Sequence, residues 1–152
     1  VLVGSPMDDA DSKHKDTGSI SVFSGIDGSE LTPKKYGANP KASLGYSVAV
    51  GDVNDNGNAD LIAGARKDDK PTDNPKKPVK DTGSVSIWSG SDYMPVNTLY
   101  GAVTKDYFGS AVSAGDINSD GKADVIIGIP GFDVSTKIKD AGKVTVLSGA
   151  AL

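Results

Sequence analysis

The sequence predicts an all-β fold made of repeated sheet units, and three observations support it. Apolar runs are short and rich in β-branched residues, as in Ile20-Ser21-Val22-Phe23, Val85-Ser86-Ile87-Trp88 and Val144-Thr145-Val146-Leu147, which suits strands on a pleated, half-buried surface. The 152 residues include 19 glycines and 8 prolines, enough for many turns. No segment sustains an apolar period of 3.6 residues, so no helix is expected.

Internal repetition sets the architecture. Leu44-Gly45-Tyr46-Ser47 matches Phe108-Gly109-Ser110-Ala111. Gly51-Asp52-Val53-Asn54 matches Gly115-Asp116-Ile117-Asn118, and Asp60-Leu61-Ile62-Ala63-Gly64 matches Asp124-Val125-Ile126-Ile127-Gly128. A single offset of 64 residues serves all three pairs. The opening Val1-Leu2-Val3-Gly4-Ser5-Pro6 repeats Val125-Ile126-Ile127-Gly128-Ile129-Pro130. A further block occurs three times, as Asp16-Thr17-Gly18-Ser19, Asp81-Thr82-Gly83-Ser84 and Asp140-Ala141-Gly142-Lys143. Each copy is followed by a strand and then Ser-Gly.

Phe108-Gly109 followed by Gly128-Ile129-Pro130 resembles the FG-GAP repeat of integrin α-subunit β-propellers and their bacterial or archaeal-type relatives. The middle copy departs from the pattern: Leu44 stands for Phe, and Arg66 stands for Pro after Gly64-Ala65. The resemblance implies four-stranded antiparallel blades in which a metal loop joins the first strand to the second. It divides the single array 1–152 into a partial blade at 1–32, a complete blade at 44–100 and a partial blade at 108–149. The first blade lacks its innermost strand and starts near Val1–Val3. The middle blade has strands near Tyr46–Val50, Asp60–Ala63, Ser84–Trp88 and Asn97–Tyr100. The last blade stops after its third strand, near Lys143–Leu147. Ten strands, about two and a half blades, cannot close a ring that needs four to eight blades. The terminal blades are expected to show apolar faces and unpaired edges.

Two loops carry the chemistry. They are Asp52-Val53-Asn54-Asp55-Asn56-Gly57-Asn58-Ala59-Asp60 and Asp116-Ile117-Asn118-Ser119-Asp120-Gly121-Lys122-Ala123-Asp124. Side-chain oxygens fall at positions 1, 3, 5 and 9, with Gly at 6, a pattern that suits a hard cation wanting oxygen ligands. The expected Ca2+ ligands are Asp52, Asn54, Asn56 and Asp60 in the first loop, and Asp116, Asn118, Asp120 and Asp124 in the second. Asn58 and Lys122 are expected to contribute backbone carbonyls. Gly57 and Gly121 should take positive φ, and the even-numbered Asp55 and Ser119 should point away. An EF-hand would need a bidentate Glu at position 12 and flanking helices, but Ala63 and Ile127 stand there between strands. A solvated Asp/Asn/Gly hairpin without metal is the other alternative, and the twofold recurrence argues against it. The second loop has three carboxylates to the first loop's two and should hold calcium more strongly, within a range on the order of micromolar to millimolar.

A formal net charge of −4 lacks the clustered positive charge that nucleic-acid binding needs. Without cysteine there is no disulfide framework and no thiolate metal site. No apolar run is long enough to span a membrane. Val1 opens within an apolar run and without an initiator Met, so a processed or excised product is expected. His14, the single histidine, lies in a polar loop with no nucleophile tied to it, and no catalytic constellation is present. Trp88 aligns with Phe23 and Leu147 and is read as core. The Arg66–Lys80 stretch interleaves Lys with Asp and Pro, as in a solvated loop kept extended by proline.

By resemblance, the loops 6–16, 66–81 and 130–140, with Pro33–Ser43 and Gly101–Asp106, share one rim, which in integrins meets protein ligands. The metal loops lie on the other rim. Three readings follow. One is an extracellular, secreted or cell-surface module for adhesion or for protein or glycan recognition. Another is a structural subunit that assembles with copies of itself or further blades into an oligomer or filament. The last is a non-catalytic fragment of a larger secreted enzyme. None makes this chain an enzyme.

Overall fold

A computed structural model describes residues 1–152. It contains ten strands and one short 3-10 turn at Gly149–Ala151, with no α-helix. The strands form three antiparallel sheets. The first comprises β1 (Leu2–Ser5), β2 (Ser19–Phe23) and β3 (Glu30–Tyr36), in that order. The second runs β4 (Leu44–Gly51), β5 (Asp60–Ala65), β6 (Ser84–Trp88) and β7 (Pro95–Tyr100). The third contains β8 (Ala111–Gly115), β9 (Asp124–Ile129) and β10 (Lys143–Leu147), with β9 in the centre. These are open blades of three, four and three strands.

One expectation needs correction. The sequence assigns Pro33 to a connecting loop, but β3 runs on to Tyr36 and takes Pro33 into the strand. Here β3 is an edge, paired only with β2 and in irregular register, and an edge tolerates the missing N–H of proline. The connection to the second sheet therefore starts at Gly37.

The sheets stack face to face. Between the second and third lies a core of Val53, Ile62, Val85, Ile87, Phe108 and Val125 with their neighbours. Between the first and second lie Ile20, Ala42, Leu44, Ala63 and Ala65, with half-buried Trp88 packed against them. Trp88 therefore serves the core, as its alignment implied.

Each Phe/Leu-Gly corner docks a blade on the one before it. Gly45 and Gly109 have φ of 80° and 82°, so an L side chain is disfavoured at both. A Cβ on Gly45 would strike Gly4 and Ser19; one on Gly109 would strike Gly64 and Ser84. The N–H of Leu44 donates to the Thr17 carbonyl at 2.9 Å, and that of Phe108 to the Thr82 carbonyl at 2.9 Å. Glycine is thus required where two blade backbones meet.

The third blade has the same socket with nothing in it. Gly128 corresponds to Gly4 and Gly64, yet a Cβ there would meet only Ala111 of its own blade, at 3.3 Å. Val85 and Ile87 are fully buried in the second blade, whereas their counterparts Val144 and Val146 are 65% and 47% exposed. An open cavity of about 510 Å³ over Ala111, Gly128, Ile129 and Val144 marks this face.

Candidate functional site

The two oxygen-rich loops are the turns joining β4 to β5 and β8 to β9. Gly57 and Gly121 have φ of 81° and 87°, as expected, and Asp55 and Ser119 are also left-handed, at 59° and 63°. The first carboxylate of each loop caps its own turn. Asp52 accepts N–H donors from Asn56 at 3.1 Å and Gly57 at 2.7 Å. Asp116 accepts them from Asp120 at 3.2 Å and Gly121 at 2.9 Å. For Asp52, desolvation pushes the carboxyl up, but the Gly57 and Asn56 donors outweigh it and hold it below its ordinary 3.8. The Gly121 donor lowers Asp116 in the same way, against a smaller desolvation.

Position 9 lies at the base of each loop. Asp60 and Asp124 are buried carboxylates with no Lys or Arg beside them. Asp60 accepts from Val53 N–H at 3.0 Å, Asn54 Nδ2 at 3.3 Å and Gly90 N–H at 2.9 Å. Asp124 accepts from Ile117 N–H at 3.1 Å, Asn118 Nδ2 at 3.4 Å and Gly149 N–H at 3.2 Å. Burying an unpaired charge is costly unless hydrogen bonds or a cation offset it.

The recurring Ser-Gly after each third strand now has a role. Gly90 and Gly149 lie against the Ala59 and Ala123 carbonyls, leaving no room for a Cβ, and their N–H groups serve the position-9 carboxylates. Gly25, the first-blade counterpart, has open space around it. The two loops also touch: Ala123 N–H donates to the Asp52 carbonyl at 2.7 Å. Each loop is thereby tied to its own third strand and to the neighbouring loop.

The donor set suits a hard cation: carboxylate and amide oxygens around a buried, cation-free carboxylate. No three acidic or imidazole side chains converge at either loop. The carboxylates of Asp116, Asp120 and Asp124 are therefore not gathered in advance, and amide and carbonyl oxygens would have to complete the shell. Asn56 and Asp120 currently accept N–H from Asn58 and Lys122, each at 2.9 Å. The chemistry of these oxygens is that of a hard divalent cation's ligands, and such an ion would neutralise the carboxylates of the turns.

On the opposite rim, a recurring clamp went unnoticed in the sequence. Asp9, Asp69 and Asp133 each hold two groups across a loop. Their partners are Lys15 Nζ and Asp16 N–H at 2.6 and 2.8 Å, Lys80 Nζ and Asp81 N–H at 2.5 and 2.9 Å, and Lys139 Nζ and Asp140 N–H at 2.6 and 2.9 Å. Asp16, Asp81 and Asp140 all have φ near 50°, at 52°, 51° and 50°. The signal was the Lys-Asp preceding each Thr/Ala-Gly, concealed because the middle loop is longer. Asp68 adds a buried brace, accepting from Ser84 Oγ at 2.7 Å and Asn39 Nδ2 at 2.7 Å. His14 is exposed, with Nδ1 2.8 Å from Asp11 Oδ2, and has no other side-chain partner.

The FG-GAP repeat model matches residues 44–88 and 108–147, the second and third blades. The chain is 34% identical to integrin alpha-5 of Xenopus laevis over 106 residues, covering 68% of this chain and 9% of that protein. It is 32% identical to integrin alpha-V of Gallus gallus, again over 68% of this chain and 9% of the relative. A longer match, to integrin alpha-4 of Xenopus laevis, is 31% identical over 138 residues, or 86% of this chain and 12% of the relative. The chain thus spans about a tenth of the length of these relatives. With Gly45 and Gly109 locking blade to blade, and with the repeat matched over both blades those corners open, the chain belongs to the FG-GAP repeat family.

Proposed function

We propose that this chain is a calcium-stabilised propeller module for adhesion or for protein or glycan recognition outside the cell, with its ligand on the rim opposite the metal loops. The observation that carries the reading is the division of labour between the two rims. One holds two oxygen-rich turns over buried carboxylates, tied to their own sheets. The other holds three loops, the middle one longer than its two equal neighbours, each closed by the same Asp–Lys clamp and presented by the strands. Binding surfaces favour loops held on such a scaffold. The integrin alpha relatives are consistent with adhesion, and no helix is long and apolar enough to cross a membrane. Calcium has a structural role here: it fixes the inner ends of adjacent blades and does not touch the ligand.

The test is binding of the whole chain to protein and glycan arrays, with variants in loops 6–16, 66–81 and 130–140 and, separately, in the metal loops. Rim variants that spare Asp8, Asp9, Asp68, Asp69 and Asp133 should abolish capture while leaving melting unchanged. Metal-loop variants should lower melting first. Capture insensitive to every rim variant would overturn the reading.

A second reading rests on the uncovered face at Gly128, Val144 and Val146. Its two counterparts in this chain are each filled by a Leu-Gly or Phe-Gly corner, so a further blade, from more chain or another subunit, would fit the third. Concentration-dependent mass in solution tests the version with separate subunits.

A further inference from the structure

Arg66 stands where the other two blades have Pro6 and Pro130. Its guanidinium carbon lies 4.6 Å from the centroid of the Tyr46 ring and 5.4 Å from that of Tyr107. Tyr46 opens the second blade and Tyr107 precedes the third, so the stack bridges the seam between them. Nη1 donates to Tyr46 Oη at 2.7 Å. Nε is buried without a partner. Nη2 has no protein acceptor and is reached by solvent. No carboxylate pairs with Arg66, whereas Lys15, Lys34, Lys80 and Lys139 each have one. The groove beside it, about 460 Å³, continues past Ser110 and Pro130 to Asp140.

From this geometry we infer that Arg66, its guanidinium lying over the Tyr46 and Tyr107 rings, anchors a carboxylate from an acidic side chain of a protein ligand. A guanidinium fork matches a planar carboxylate. Stacking on two aromatic faces fixes its orientation and so reduces the freedom lost on binding. Asp140 at the far end of the groove disfavours a dianion such as phosphate and accommodates a singly charged carboxylate. The inference rests on the recognition reading above and adds the chemistry of the ligand.

The experiment follows the Arg66 Nε–H signal by NMR in the calcium-saturated whole chain. The probes are N-acetyl-aspartate amide, its asparagine counterpart, glucuronate and inorganic phosphate, at fixed ionic strength. The aspartate probe should give a saturable shift, with dissociation on the order of 1–10 mM as expected for one anchored contact, while the asparagine probe gives none. Arg66→Lys should weaken the aspartate probe by about fivefold or more, because it keeps the charge but loses the fork. Arg66→Gln should abolish the effect, with thermal melting confirming that the variant is folded. Absence of a saturable shift in the unaltered chain, or an equal response to phosphate, would overturn the inference, and that measurement needs no variant. Stronger binding of glucuronate would overturn the protein source. An array ligand captured equally by the unaltered chain and Arg66→Gln would refute the carboxylate anchor and leave the recognition reading standing. A saturable aspartate shift without any rim-dependent array ligand would do the reverse.

Discussion

Replacing Gly64 and Gly128 by alanine, one at a time, probes the docking of blade on blade. The two glycines hold the same place in successive blades, Gly64 in β5 and Gly128 in β9. A Cβ on Gly64 would fall well inside contact distance of the Gly109 carbonyl oxygen and 2.5 Å from Ser47 Oγ. Ser47 can rotate, but its hydroxyl donates to that same carbonyl at 2.8 Å, and the carbonyl is backbone. The corner at Phe108-Gly109 must therefore move by roughly an ångström, and overpacking of this kind costs about 1–3 kcal/mol. Loss of the Ser47 bond adds about 1 kcal/mol. Gly→Ala in a strand returns about 0.5–1 kcal/mol through the unfolded chain, for a net loss of about 1–3.5 kcal/mol. In a domain of this size that lowers Tm by roughly 2–14 °C. At Gly128 the nearest atom is the Ala111 Cβ at 3.3 Å, so alanine should change stability by less than about 1 kcal/mol. Differential scanning calorimetry of the two variants at equal calcium decides the matter. Equal losses, or a larger loss at Gly128, would refute the glycine-to-glycine seam as the means by which blades dock.

Other outcomes follow from the loops and clamps. Asp60→Ala leaves the N–H groups of Val53 and Gly90 without their acceptor in a buried site, a loss of about 2–4 kcal/mol that chemical denaturation would measure. Asp55→Ala, at an exposed position of the same loop whose carboxylate accepts no hydrogen bond although it lies beside Gly121 of the second loop, should leave both stability and calcium affinity unchanged, as titration calorimetry would show. The Ser19 hydroxyl and Lys34 hold Asp8 below its ordinary 3.8, as Lys15 does Asp9 and Lys139 does Asp133. A depressed folded value stabilises the fold above the ordinary one, so these contributions persist at neutral pH and fade as pH falls below about 3.8. Lys15 and Lys34 are raised above 10.5 by Asp9 and Asp8. Their share is complete below 10.5 and is lost as pH climbs past it. Melting against pH should thus show a plateau bounded near these two values, flattened by salt because the pairs are exposed. A melting temperature that rises on acidification through pH 4 would contradict the clamps.

Much of the fold could be read from the 64-residue offset, because the repeat fixes strand, turn and strand together. β5, β6, β9 and β10 lie where their β-branched runs placed them, and both loop glycines take the expected positive φ. Other parts were concealed for physical reasons. β3 reads as loop because Pro33 and its lysines break the apolar pattern, which an edge strand does not need. The Asp clamps escape a repeat search because Asp9 and Asp133 reach a lysine six residues on, whereas Asp69 reaches one eleven residues on. Arg66 looked only like a failed proline. Its significance lies in two tyrosines distant in sequence, which the stacked sheets bring against it. The Ser-Gly glycines were visible as repetition, but their purpose appears only once Gly90 and Gly149 are seen beneath the oxygen-rich turns.

The most direct measurement is the thermal melt of the whole chain in saturating calcium and again in excess chelator, run beside Asp116→Ala and Asp124→Ala. Calcium held by the two turns predicts a melting temperature that falls by several degrees or more on chelation, with either substitution reproducing most of the loss and weakening the response to added metal. Superimposable melts with and without chelator would contradict a structural role for calcium, leaving the turns as hydrogen-bonded hairpins.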